Sequence, residues 1–107
     1  MSKAEPAVLF AALGDPTRLG LLARLADGGE YSIARLGEGL PVSRQAVAKH
    51  LDILQDAGFV RRRKSGREVQ ITLRREGIET ARHWLDQVGA QWDGTLGRLR
   101  DLMEGDG

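Results

Sequence analysis

The sequence predicts a mainly α-helical fold with one small β-hairpin, in the order α-α-α-α-β-β-α, dimerising through its terminal helices. Three observations carry this expectation. Apolar residues recur at steps of three and four through most of the chain, while one segment, residues 59–73, alternates instead. The last helical segment bears an apolar stripe too long for the rest of the chain to cover. At 107 residues the chain fits one small domain, 1–107, for which a core shared between two copies would add useful burial.

The first helix is expected from about Glu5 to Leu13, with Val8, Leu9, Ala12 and Leu13 as its stripe. Asp15 can then cap the amides of a second helix and Pro16 can take its first position, where a missing N–H costs nothing. Leu19, Leu22, Ala23 and Leu25 are its apolar positions, and Gly28-Gly29 follows as a stop. Ser32 can cap a third helix with Ile33, Leu36 and Leu40 inward, ended by Pro41. Ser43 can cap a fourth, which reaches Asp56 or Ala57 before Gly58. On that helix Val47, Leu51 and Leu54 share one face, and Gln45, Lys49, Asp52 and Asp56 the opposite one, with Arg44 and Ala48 flanking the polar side. Phe59–Arg63 and Arg67–Leu73 read as strands around a Lys64-Ser65-Gly66 turn. From Arg75 to Met103, apolar residues at Ile78, Ala81, Leu85, Val88, Trp92, Leu96, Leu99 and Met103 mark a final helix, assigned to dimerisation over 75–103.

Charge is partitioned along this plan. The net charge is only +1, but residues 43–75 hold nine basic and three acidic side chains, so an electropositive middle lies between acidic ends. That pattern suits a polyanion confined to one part of the surface. Two short helices joined by a tight turn and followed by a basic hairpin describe a winged helix-turn-helix. An exposed helix fits the major groove, and its N-terminal residues meet base edges first. Here these are Arg44, Gln45, Ala48 and Lys49: Arg can pair bidentately with guanine, Gln with adenine, and Ala48 allows close approach to a thymine methyl. Ser43 and the wing residues Arg61, Arg62, Arg63, Lys64 and Arg67 are assigned to the DNA backbone, where they set affinity more than sequence choice. The alternative from another class is a winged-helix module or co-regulator that joins proteins without specific DNA binding.

Four stretches carry a family resemblance: Phe10–Leu22 (FAALGDPTRLGLL), Val42–Leu51 (VSRQAVAKHL), Leu54–Val60 (LQDAGFV) and Gly66-Arg67. Together the sequence resembles the ArsR-type (ArsR/SmtB-like) bacterial transcriptional repressors. The resemblance implies a homodimer on operator DNA, usually repressing its own operon, with the first and last helices as the dimer interface. The interface positions would be Val8, Leu9, Leu85, Val88, Trp92, Leu96 and Leu99. Arg44, Gln45, Ala48 and Lys49 match the family's DNA-reading positions, Ala48 standing where serine is common.

Many proteins of this type sense metals through Cys, His and carboxylate ligands. The chain contains no Cys, which removes thiolate metal sites, disulfides and thiol catalysis together. Glu79, His83 and Asp86 share one helical face, but one histidine per set is a poor nitrogen supply, and a solvated face is the preferred reading. No metal and no cofactor is therefore expected. His50 is expected to pack beneath the reading helix. Trp84 and Trp92 lie on roughly one side of the last helix, as interface core rather than as the wall of a ligand pocket, and no effector is identified. No nucleophile–base pair or phosphate-binding glycine loop is present, so no enzymatic activity is expected. No apolar run approaches the roughly 20 residues of a bilayer span, and the N-terminus lacks a secretory layout, which makes a cytoplasmic protein the expectation.

Overall fold

In the computed structural model, which describes residues 5–105, five helices and three strands follow one another. They are α1 (Pro6–Leu13), α2 (Pro16–Leu25), β1 (Tyr31–Ser32), α3 (Ile33–Leu36), α4 (Arg44–Asp56), β2 (Val60–Ser65), β3 (Glu68–Leu73) and α5 (Arg75–Gly105). The order of helices and hairpin is the expected one. Residues 1–4 and 106–107, which the expected domain 1–107 includes, lie outside the described residues.

Local chemistry sets the boundaries. Asp15, Ser32 and Ser43 each cap a helix by accepting the amide three residues on, from Arg18 (3.0 Å), Arg35 (3.2 Å) and Ala46 (3.1 Å). Gly58, at φ 86°, closes α4: its amide reaches the Gln55 carbonyl while the Phe59 amide reaches back to Leu54. This paired arrangement needs the left-handed conformation that glycine adopts without penalty.

Three local expectations are corrected. The third helix is a single turn, because Gly37 and Gly39, the latter at φ 78°, end it before Leu40. The hairpin turn lies at Gly66-Arg67, since Lys64 and Ser65 continue β2 opposite Val69 and Glu68. Gly66 at φ 62° is then the first of two turn residues, the position where a two-residue hairpin of this hand calls for glycine. The hairpin is also part of a three-stranded antiparallel sheet in the order β1-β3-β2, with Tyr31 opposite Ile71. A hydrogen bond from the Tyr31 hydroxyl to Asp27 closes the approach to β1, pushing the Tyr31 hydroxyl up and holding the Asp27 carboxyl below its ordinary value.

One apolar cluster joins these elements. It takes Leu9 and Ala12 from α1, Leu21 and Leu25 from α2, Leu36 from α3, Val47, Leu51 and Leu54 from α4, Phe59, Val60 and Ile71 from the sheet region, and Ala81 from α5. On α2 the inward face is Arg18, Leu21, Leu22 and Leu25, so Leu19 and Ala23, expected inside, point outward. Arg18 explains this rotation. Its guanidinium donates from Nε to the Ala12 carbonyl (2.6 Å), from Nη2 to the Ala11 carbonyl (3.3 Å), and from Nη1 to Nδ1 of His50 (3.1 Å). The guanidinium has no acceptor capacity, so Nδ1 is the accepting atom of this bond. His50 is half-buried beneath α4, as expected, and Asp15 lies 3.9 Å from its Nδ1. Asp15, Arg18 and His50 thus tie the end of α1 and the start of α2 to the inner side of α4.

The helix α5 starts against the α4–β2 corner and then leaves the core. Gly77 donates to the Gly58 carbonyl (3.0 Å), and a Cβ there would lie 2.6 Å from that oxygen. Beyond Ala81 no side chain of α5 is buried. At 1.5 Å per residue the helix is about 46 Å long. The Cα radius of gyration is 18.9 Å, against about 13 Å for a compact chain of this length.

Two outcomes follow. Gly77→Ala should lower stability by about 1–3 kcal/mol, because the opposing atoms are backbone and cannot turn aside; a urea midpoint equal to wild type at the same protein concentration would contradict the close packing. The Asp15 carboxyl is held below its ordinary value chiefly by the Arg18 amide, with the Arg18 charge adding to it. A lower value in the folded state means that the unfolded chain takes up the proton first, so this contribution is present above about pH 4 and is lost as pH falls further. Unfolding free energy measured across pH 3–6 should therefore fall with acid in wild type and less steeply in Asp15→Asn.

Candidate nucleic-acid interface

The burial of Val47, Leu51 and Leu54 turns the opposite side of α4 to solvent. Arg44, Gln45 and Lys49 are exposed there and Ala48 is partly so, with Ser43 at the N-terminal end. An open groove of about 700 Å³ runs between this end of α4, α3 and the hairpin; Gln45 and Ala48 line one side, Glu68 and Val69 the other. Arg44, Gln45 and Ala48 of α4 therefore share one concave surface with Glu68 and Val69 of the hairpin, and Lys49, Arg61, Lys64 and Arg67 are exposed outside its lining.

The wing's pleat sorts its cations. Val60, Arg62 and Lys64 stand on one face with their partners Leu73, Ile71 and Val69, and Arg61 and Arg63 stand on the other. Arg62 turns inward to α4, where Nη1 meets Asp52 Oδ1 at 2.6 Å and Nη2 donates to the Ala48 carbonyl at 3.1 Å. Arg63 pairs with Glu30 at 2.5 Å. Arg62 and Arg63, expected at the DNA backbone, are both engaged within the chain, Arg63 through a pair whose side chains stay 58% and 44% exposed. Arg61, Lys64 and Arg67 are exposed and form no ion pair among the described residues. Glu76, at the start of α5, is held below its ordinary value by its own backbone amide, then by Arg74 and Arg61.

Of the positions expected at a dimer interface, Val8 (48% exposed), Leu85, Val88, Trp92 (60%), Leu96 and Leu99 (54%) are uncovered along α1 and α5. Leu9 is not among them: at 1% exposure it belongs to the core of its own chain, because α1 turns it towards α2 and α4. Trp84 packs its ring against Phe10, centroids 5.2 Å apart, and so joins α5 to α1. Among the described residues no three His, Asp or Glu side chains are grouped to hold a metal ion; Glu79 lies 3.7 Å from Arg75, and His83 and Asp86 are exposed. No helix among them is long and apolar enough to cross a membrane.

Two features escaped sequence reasoning, the Arg18 hub and the Arg62 tether. Both join residues distant in the chain, and only the Asp15 cap three residues before Arg18 hinted at either.

Comparison with known proteins agrees with this geometry. A family described as a helix-turn-helix domain matches residues 13–63. The chain is 33% identical over 103 residues to an HTH-type transcriptional regulator of Mycobacterium tuberculosis, covering 96% of this chain and 92% of that one. It is 36% identical over 73 residues to the arsenical resistance operon repressor of Escherichia coli, covering 68% and 62%. The solved structure of an ArsR-like transcriptional regulator from Rhodococcus sp. RHA1 superposes with a TM-score of 0.78 at 39% identity, covering 91% of each chain. With near-complete coverage, a shared fold and an exposed helix beside a basic wing, the chain belongs to the ArsR family of winged helix-turn-helix proteins: it is a DNA-binding transcriptional regulator and not an enzyme.

Proposed function

We propose that the chain acts in the bacterial cytoplasm as a homodimeric repressor, bound to an inverted-repeat operator, its own promoter included. Residues 1–107 work as one DNA-binding domain, with 75–103 as its dimerisation helix. The observation that carries the reading is the exposure of Arg44, Gln45 and Lys49 on α4 beside a hairpin that exposes Arg61, Lys64 and Arg67. Arg44, Gln45, Ala48 and Lys49 read bases in the major groove, while Ser43, Arg61, Lys64 and Arg67 hold phosphates. Dimerisation covers Val8, Leu85, Val88, Trp92, Leu96 and Leu99, an apolar row that a single chain leaves in water. A two-fold axis through that interface requires half-sites about one helical turn, or a multiple, apart.

Selection of bound duplexes from a random library tests this reading. Wild type should enrich a two-fold symmetric motif, Gln45→Ala should relax base choice within it, and Arg67→Ala should weaken all duplexes about equally. The log–log slope of affinity against salt should fall in magnitude by about 0.9 for each phosphate that the bound dimer no longer neutralises. Recovery of no motif by a folded dimer would refute sequence-specific operator binding. Trp92→Glu should shift the sedimenting species from dimer to monomer; an undisturbed dimer would place the interface elsewhere.

A further inference from the structure

Arg62 occupies an unusual place for a cation. Its neighbours on the inner face of the hairpin, Val60 and Ile71, are fully buried, and its Nε is buried without a hydrogen-bond partner. An apolar side chain would fill such a slot without leaving a donor unmet. What the guanidinium adds is direction: one nitrogen is held by the Asp52 carboxylate and another by the carbonyl of Ala48, two points one turn apart on α4. Ala48 is itself one of the residues on the concave surface.

We infer that Arg62 is a positioning residue for DNA binding: through Asp52 and the Ala48 carbonyl it fixes the wing's angle against the reading helix, so that Lys64 and Arg67 meet phosphates in register with the bases that α4 reads. The inference rests on the assignment of α4 and the wing to DNA. It assigns Asp52 a role opposite to the one its charge suggests. A carboxylate on the outer face of α4 repels a polyanion, so its removal by charge alone would tighten binding. As the anchor of Arg62, its removal loosens the wing and weakens binding.

The test uses the full chain and a labelled duplex recovered by wild type from a random library. Asp52→Ala should weaken binding about three- to tenfold, and Arg62→Ala by a similar factor, with the double variant no worse than the weaker single, as expected for partners in one interaction. Asp52→Asn keeps an accepting oxygen and should recover most of the loss. Arg62→Lys keeps the charge but reaches only one of the two partners, so it too should bind more weakly; it serves as the test should Asp52→Ala fail to fold. Arg67→Ala should cost less affinity in the Asp52→Ala background than in wild type. Unchanged or tighter binding by Asp52→Ala or Arg62→Lys, or an equal cost of Arg67→Ala in both backgrounds, overturns the tether. If Arg67→Ala leaves wild-type affinity unchanged, the wing's assignment to phosphates fails, and the tether fails with it.

Discussion

Everything this chain offers to DNA depends on the burial of one helical face. Val47, Leu51 and Leu54 of α4 are removed from water against α2, α3 and the start of the sheet. Fully burying each such side chain stabilises by roughly 1.5–3 kcal/mol, which makes this face the anchor of the helix. With 3.6 residues per turn, commitment of that side inward leaves Arg44, Gln45 and Lys49 no direction but outward. The Ser43 cap starts the helix where those residues are presented, and the Gly58 stop turns the chain directly into the wing. The Asp15–Arg18–His50 network holds the same helix from the α1–α2 side, so the reading surface is positioned by polar direction as well as apolar area.

The helix α5 poses the complementary problem. Its first turns are locked to the corner by Gly77 against Gly58 and joined to α1 by Trp84 on Phe10, and beyond them its apolar row is exposed. In the proposed homodimer a second copy offers the same row to the first, so one isologous interface would relieve the exposure of both chains. On the proposed reading, the two-fold axis that covers α5 is also the axis that spaces the two reading helices. Stability and operator geometry then arise from one interface. A substitution along α5 would change DNA binding without touching it.

How much of this was legible in the sequence follows the range of the interactions. Helix α4 was readable almost to the residue, because its cap, period and stop are all local: Ser43, the Val47–Leu51–Leu54 spacing and Gly58. The hairpin was readable, but its turn moved towards Gly66-Arg67 because pairing of Lys64 and Ser65 with β3 outweighed their turn-forming character. Strand β1 was not readable, since two residues carry no periodicity and exist as a strand only through Ile71 and Gln70. The rotation of α2 depended on where Arg18 could find carbonyls, and both Leu19 and Leu21 were apolar enough to be inside. The free and engaged wing cations looked alike in sequence. Glu30 and Asp52, which engage Arg63 and Arg62, come from other parts of the chain.

The most direct measurement of the central claim is a titration of the isotope-labelled protein with duplex DNA, following backbone amide shifts. The largest changes are expected at residues 43–49, the cap and first turns of α4, and at residues 64–67 of the wing, with the apolar row of α5 unaffected because a partner chain covers it in the proposed dimer. Changes concentrated on α5 or on the outer side of α2, with α4 silent, would contradict the assignment of α4 and the wing to DNA.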